Sequence, residues 1–434
     1  MYPGSPMRPQ RTPPELVFAV GFTCGVLTLG VIRMMTRDRD LELLTAVRNL
    51  ALDTHVDEHE PRELIDDALA GMIGNLDRYS RYYPPREIEA LRRETSGRYL
   101  GIGVLFLDID RGVVRFALPG SPAERSGLRP GDRIVRIDGE WVADLEPGGV
   151  RDLLRRRTGE PIELEVEDRS GARREVALSP DHVTDPSVRH ARILDPELGI
   201  GYLALTSFTH ETDDEFDATV EWLRGRGMQG LVLDLRANPG GMLDVALRLA
   251  DRFIDDGVLV STRSRSETRS THATLEGTRL GGLPLVLLVD GDSASASEVL
   301  CGALQDHRVA VVVGEPTYGK GAVQTLTEYE GEASVKITTS LYFTPAGRRI
   351  ERDAEHGGLA PDVEAEITPL ERRAIHAFLD SYSPPPNALD DLAAWEAEEG
   401  VAVLPRPPED PQLRVALDLL RGVAPGPYVD VDGG

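Results

Sequence analysis

The sequence predicts an α/β (α+β) core that carries a smaller strand-rich insert and follows a single apolar N-terminal segment. Three observations lead there. First, the apolar runs GLVLD at 230–234 and LPLVLLV at 283–289 each pass through a turn of small residues into an amphipathic helical pattern. Second, between Gly97 and Ser179 short strand-like runs alternate with Gly and Pro turns. Third, Leu16 to Ile32 is a run of 17 residues without a charge, at the short limit for crossing a bilayer as a transmembrane helix.

Composition sets the outer limits. At 434 residues the chain is longer than one ordinary core of ~100–200 residues. A hydrophobic content of 41% with 28% charged residues is that of a folded protein. The net charge of −25 excludes nucleic acid as a partner, because phosphate recognition needs a basic footprint. Cys24 and Cys301 cannot form a disulfide framework, so cysteine usage leaves the redox compartment open. The nine histidines are scattered and offer no His/Cys ligand set, so no metal is expected.

Residues 1–40 form an N-terminal tail and membrane anchor in this reading. No A-x-A-like cleavage site follows the apolar run, which favours an uncleaved anchor over a signal peptide. Arg8 and Arg11 precede the run and Arg33, Arg37 and Arg39 follow it, a balance that slightly opposes an exported C-terminal body. Residues 41–96 read as a linker and helical lead-in. Within it Leu64, Ile65, Ala68, Leu69, Met72 and Ile73 share one helical face, with Pro61 in the first turn.

The segment 97–180 has its own grammar. In GSPAERSGLRPGDRIVRIDGEWV, Ser121 can cap a short helix, Pro122 can open it and Gly127 can end it. Pro130-Gly131-Asp132 then turns the chain into a strand, and GGVRDLLRRRTG supplies a second helix before the strand IELEVE. These features resemble a PDZ domain, which binds peptide C-termini as an added strand. By that resemblance Leu100, Gly101, Ile102 and Gly103 are the residues that cradle the peptide carboxylate and flank the groove.

The chemistry lies in 181–366. The turn ANPGG before a helix leaves backbone N–H groups open to an anion. In GDSASASEVLCGALQD, Ser293 and Ser297 read as helix caps, whereas the small residues around Ser295 leave room for a substrate backbone. Downstream, TYGKGAVQ contains Lys320. Of the 48 Lys and Arg residues only Lys320 and Lys336 are lysine. A serine needs a base to become a nucleophile, and a desolvated lysine can lose its proton where arginine cannot. Lys336 shows that a lysine also occurs without such a role. Glu298 reads as a carboxylate at a helix N-terminus, and Asp234 and Arg236 as structural. Residues 367–434, rich in Pro, Asp and Glu with one amphipathic stretch, PQLRVALDLLRG, near the end, read as an exposed polar extension in preference to a regulatory or partner-binding element.

From about residue 60 to 365 the chain resembles the carboxyl-terminal processing proteases, PDZ-containing serine peptidases with a Ser/Lys dyad. The resemblance is carried by NLDRYSRYY, GYLALTSF, GLVLDLRANPGG, GDSASASEVLCGALQD, GEPTYGKGAVQ and SLYFTPAGRRI, in the family's order. It implies a crotonase-like spiral protease core with an inserted PDZ domain. It implies Ser295 as nucleophile, Lys320 as general base and Gln324 as the residue that orients the lysine. It also implies the backbone N–H groups of Gly241 and Ala296 as oxyanion donors. No cofactor is implied. The implied partners are proteins or peptides with free C-termini and the inner membrane, with the catalytic part periplasmic; a homo-oligomer or regulatory partner is left open. Two rivals compete with the peptidase reading: a catalytically idle PDZ adaptor, and a Ser/Lys hydrolase of small amides. A soluble periplasmic protein with a cleaved signal peptide is the rival for localisation.

Overall fold

In a computed structural model the described residues are 39–88, 98–156, 160–273, 279–329, 333–352, 358–384, 386–400, 402–403 and 406–422. The apolar run 16–32 lies outside them, and among the described residues no helix is long and apolar enough to cross a membrane. The chain divides into two units, Met1–Arg78 and Tyr79–Gly434. In the first, helix α1 (Arg39–Thr54) is followed by α2 (Pro61–Gly74), which opens on its proline as the sequence predicts. Between them His55 and His59, four residues apart, meet at 3.0 Å on the surface, a spacing that the reading of the histidines as scattered passed over.

The second unit begins with β1 (Arg81–Tyr83). The PDZ-like insert follows: β2 (Arg98–Gly101), β3 (Val104–Asp108), β4 (Val113–Ala117), α3 (Pro122–Arg125), β5 (Arg133–Ile137), β6 (Glu140–Trp141), α4 (Gly149–Arg156), β7 (Ile162–Glu167), β8 (Arg173–Leu178) and β9 (Asp181–Thr184). The Ser121 hydroxyl accepts from the amide of Glu124, and Gly127 takes a φ of 73°, so the expected cap and stop of α3 both form. The strands run in the order β3-β4-β5-β7-β8, which leaves β3 at an edge, while β2 pairs separately with β9. Alternate residues Val114, Ile134, Ile162, Leu164 and Val166 fill the core beneath the sheet.

The larger domain is built on a six-stranded sheet. Its elements are β10 (Val188–Asp195), β11 (Ile200–Leu205), α5 (Thr212–Gly225), β12 (Gly230–Asp234), α6 (Leu243–Asp251), β13 (Val258–Ser264), β14 (Thr268–His272), β15 (Leu285–Val289), α7 (Ala296–Asp306), β16 (Val311–Gly314), β17 (Ala322–Tyr329), β18 (Ala333–Phe343) and β19 (Val363–Glu364). The order is β10-β11-β12-β15-β16-β19, parallel except for β10. Strands buried on both faces read as continuous apolar runs, which is why GLVLD and LVLLV stand out. Their residues alternate between two cores. Leu231, Leu233, Leu285 and Leu287 face α5, α6 and α7, whereas Val232, Val286 and Leu288 face the other side. A second sheet, β1-β18-β13-β14 with β17 on β18, stands beside this one.

The C-terminal extension corrects one expectation. It is not an exposed tail: helices α8 (Pro369–Asp380), α9 (Pro386–Glu399) and α10 (Pro411–Leu420) are packed against the rest of the unit. Ile375, Phe378 and Leu379 of α8 and Leu413, Val415 and Ala416 of α10 close the second face of the large sheet. Between them α9 crosses to the insert, where Leu392 and Trp395 join Val403 against Phe116, Leu118 and Val183. Helix α10 falls on the amphipathic stretch PQLRVALDLLRG, whereas in α8 and α9 the apolar positions are diluted among polar residues, so composition hid them. Truncating Trp395, which is 4% exposed, to alanine is expected to cost about 3 kcal/mol. That is the low end for a buried tryptophan, since among the described residues its Nε1 has no partner to lose. A chemical-denaturation midpoint unchanged by Trp395→Ala would show that this contact is dispensable.

Candidate active site

The C-terminal ends of the parallel strands gather the turns that the sequence singled out. After β12 the turn 237–241 begins with Ala237 at a φ of 57° and ends with Gly240 and Gly241 at 101° and 146°. A side chain on Gly240 would meet the Ser295 Cβ at 2.8 Å, so only glycine lets this turn lie against the serine. The turn is locked to the serine loop by the Asn238 carbonyl, which accepts from the Ala294 amide at 3.0 Å and the Ser297 hydroxyl at 3.0 Å. The Ser293 hydroxyl donates to the Leu235 carbonyl at 2.8 Å. These serines therefore cross-link two loops, where the sequence suggested helix caps. The site of Ser295 itself is the N-cap position of α7.

Ser295 has φ 58° and ψ −114°, a sparsely populated conformation for a residue with a Cβ. Such strain persists only where the surroundings over-determine it, and it clusters at functional sites. Among the described residues the amides of Ala296 and Gly241 donate to no protein acceptor. Two open donors thus flank the strained serine.

Lys320 and Gln324 meet at Tyr79. The Gln324 side chain donates to the Tyr79 carbonyl at 2.7 Å, and the Lys320 Nζ lies 5.7 Å from the centroid of the Tyr79 ring. Tyr79 lies within NLDRYSRYY, a stretch that carries the family resemblance but was given no role in the site; the pairing of β1 with β18 reveals its place. The second lysine, half-buried Lys336, sits on β18 with its Nζ 5.6 Å from the ring of buried Tyr83, a cation–π contact.

Glu298 is the residue whose importance the sequence understated. It is fully buried, and four donors converge on its carboxylate. Oε1 accepts from the Thr317 hydroxyl at 2.6 Å and the Gly319 amide at 2.7 Å; Oε2 accepts from the amides of Ser295 and Lys320, both at 2.8 Å. One oxygen therefore holds the backbones of the serine and of the lysine together. Burial pushes this carboxyl above its usual range, although the four donors pull the other way.

Asp234 and Arg236 are structural, as read. Arg236, buried between strands and extension, donates to Asp234 at 2.9 and 2.6 Å and to Asp410 of the α10 N-cap at 3.0 and 2.6 Å. Asp290, also buried, accepts from the Ala237, Asp292 and Ser293 amides on Oδ1 and from His376 of α8 on Oδ2. Asp290, Asp292 and His376 form the one cluster of three potential metal ligands among the described residues; a His–carboxylate hydrogen bond accounts for its closest contact.

The four residues expected to flank a peptide groove, Leu100 to Gly103, form a separate group. Leu100 and Gly101 pair with His182 and Asp181 of β9, and Ile102 is buried under α3. Gly103 has a φ of 71° and packs on Ser121, where a Cβ would meet the Ser121 Cβ at 2.2 Å. The amides of Ile102 and Gly103 donate to no acceptor among the described residues, and they stand at the start of the edge strand β3.

Comparison with known proteins agrees with this arrangement. Residues 199–365 match the model of peptidase family S41, and residues 113–168 match that of the PDZ domain. The chain is 32% identical over 377 residues to a carboxy-terminal-processing protease of Bartonella bacilliformis, covering 84% of each chain. It is 28% identical over 341 residues to the carboxy-terminal processing protease CtpA of Bacillus subtilis, covering 78% of this chain and 72% of that one. Among solved structures, the photosystem II D1 C-terminal processing protease is similar at 31% identity and a TM-score of 0.45, covering 79% of this chain and 92% of that one. With strained serine, open donors and buried carboxylate described, and with such identity over most of both chains, the conclusion is that this protein is a serine-type protease of peptidase family S41, one of the carboxy-terminal processing proteases.

Proposed function

We propose that the protein cleaves exported proteins from near their C-termini with a Ser295/Lys320 dyad, and that its PDZ domain captures the free tail. The observation that carries this reading is the single Glu298 oxygen on which the Ser295 and Lys320 amides meet. In the reaction Lys320, as a neutral amine, takes the Ser295 hydroxyl proton while Oγ attacks the scissile carbonyl. Gln324, held on the Tyr79 carbonyl, orients the lysine. The Gly241 and Ala296 amides receive the developing oxyanion, and preorganised donors of this kind contribute a few kcal/mol each. Lys320 then returns its proton to the departing amine, and a water deprotonated by the same lysine releases the acyl group.

On the PDZ domain an extended tail adds to the edge strand β3, with its carboxylate at the Ile102 and Gly103 amides. In this reading Leu16 to Ile32 anchors the chain in the inner membrane with the catalytic part in the periplasm. The test is incubation of the full-length chain with an unfolded protein that has a free C-terminus, beside Ser295→Ala. Cleavage by the wild type alone is expected. Equal cleavage by both removes Ser295 as nucleophile, and no cleavage by either overturns the reading.

A further inference from the structure

We propose that His376, carried by the C-terminal extension, is a positioning residue for catalysis, acting through Asp290 on the oxyanion turn and the serine loop. The inference rests on the reading of Ser295 and Gly241 given above. Asp290 stands between the two loops. Its Oδ1 accepts from the Ala237 amide at 3.1 Å, which opens the turn leading to Gly241. The same oxygen accepts from the amides of Asp292 at 3.0 Å and Ser293 at 3.1 Å, which lead to Ser295 and Ala296. Both open amides are thus only a few residues from one carboxylate oxygen.

An aspartate rotates about its last side-chain bond, so an oxygen held on one side fixes the other. The His376 Nε2–H donates to Oδ2 at 2.7 Å, and a carboxylate can only accept, which assigns the proton to that nitrogen. With Asp290 0% exposed, loss of this donor leaves Oδ2 buried without its partner. The carboxylate would then turn toward other donors and release the turn amides. Burial alone would push Asp290 upward; the His376 hydrogen bond, with the amides, outweighs it and holds the carboxyl below its ordinary range.

The imidazole is itself well placed. Helix α8 is fixed by a reciprocal Thr368–Glu371 cap and by Ile375, Phe378 and Leu379 in the core, so His376 is delivered from a rigid element. The other charges around it are Asp292, 3.8 Å from Nδ1, and Arg372, which is occupied by Glu315. Nothing in the motifs of the protease core requires a histidine here; the contact exists because the extension folds back over the sheet.

The experiment measures kcat and KM separately on a C-terminally free peptide, using the full-length chain and its His376→Ala, His376→Asn and His376→Gln variants, with thermal unfolding alongside. A glutamine amide reaches the position of Nε2, whereas the shorter asparagine does not. His376→Ala and His376→Asn are expected to lose roughly tenfold in kcat, as misplacement of reacting groups by a fraction of an ångström entails, with KM little changed. His376→Gln is expected to recover most of it. Equal kcat in all four chains, a loss that glutamine does not restore, or a rise in KM at constant kcat overturns the positioning role alone. A wild type that cleaves nothing overturns the proposed dyad and this role with it.

Discussion

Lys320→Arg is expected to lower peptide cleavage by roughly 10³-fold or more, because a guanidinium cannot give up its proton to become a base. The substitution keeps most of the length and the capacity to donate hydrogen bonds, and removes the capacity to become neutral. It leaves the fold intact for a specific reason. The Lys320 backbone amide, which the substitution keeps, donates to Glu298 and ties this loop down. The other lysine supplies the control. Lys336 lies over the Tyr83 ring, which Arg81 also approaches at 4.8 Å. An arginine serves such a contact as well as a lysine does, so Lys336→Arg is expected to stay within about twofold of the wild type. Single-turnover cleavage of one peptide by the three chains decides the matter. Near-normal turnover in Lys320→Arg removes Lys320 as the base, and equal losses in both variants show that the loss is not specific to a base at position 320.

Much of this molecule could be read from local pattern. Strands buried on both faces appear as unbroken apolar runs, and the cap, turn and strand signals of SPAERSGLRPGDRIVRIDG act within a few residues of one another. Ser295, Lys320 and Gln324 stood out by their place in motifs that resemble a known family. The contacts that hold these loops in place did not. Gln324 meets Tyr79 across 245 residues of sequence, Asp290 meets His376 across 86 and Arg236 meets Asp410 across 174. Such contacts carry no local periodicity. The extension was legible only at its end, where PQLRVALDLLRG shows an amphipathic stripe; the apolar residues of the two helices before it face two different partners and are diluted among polar ones. A signal for Glu298 did exist. A carboxylate three residues after Ser295 satisfies a helix N-terminus, and that sufficient local explanation concealed the longer reach to Thr317, Gly319 and Lys320.

That reach makes Glu298→Gln the second large effect. Most carboxylate-to-amide changes are mild where one oxygen faces a donor and the other faces water. Here both oxygens face donors only: the Thr317 hydroxyl and Gly319 amide on one side, the Ser295 and Lys320 amides on the other. Whichever way the glutamine turns, its NH₂ group opposes two donors in a fully buried place. If the amide nitrogen faces Ser295 and Lys320, the serine and lysine backbones are driven apart. If it faces Thr317 and Gly319, the loop that carries the lysine swings instead. Either displacement separates nucleophile from base, so kcat is expected to fall by roughly 10²-fold. KM should move less, because the groove proposed to capture the tail lies on other elements, β2 and β3. Glu298→Asp restores the charge but not the reach, and should therefore recover only part of the loss. Measuring kcat, KM and thermal unfolding together separates this from a general collapse of the fold. A Glu298→Gln chain with wild-type kcat would mean that the shared carboxylate does not set the distance between Ser295 and Lys320.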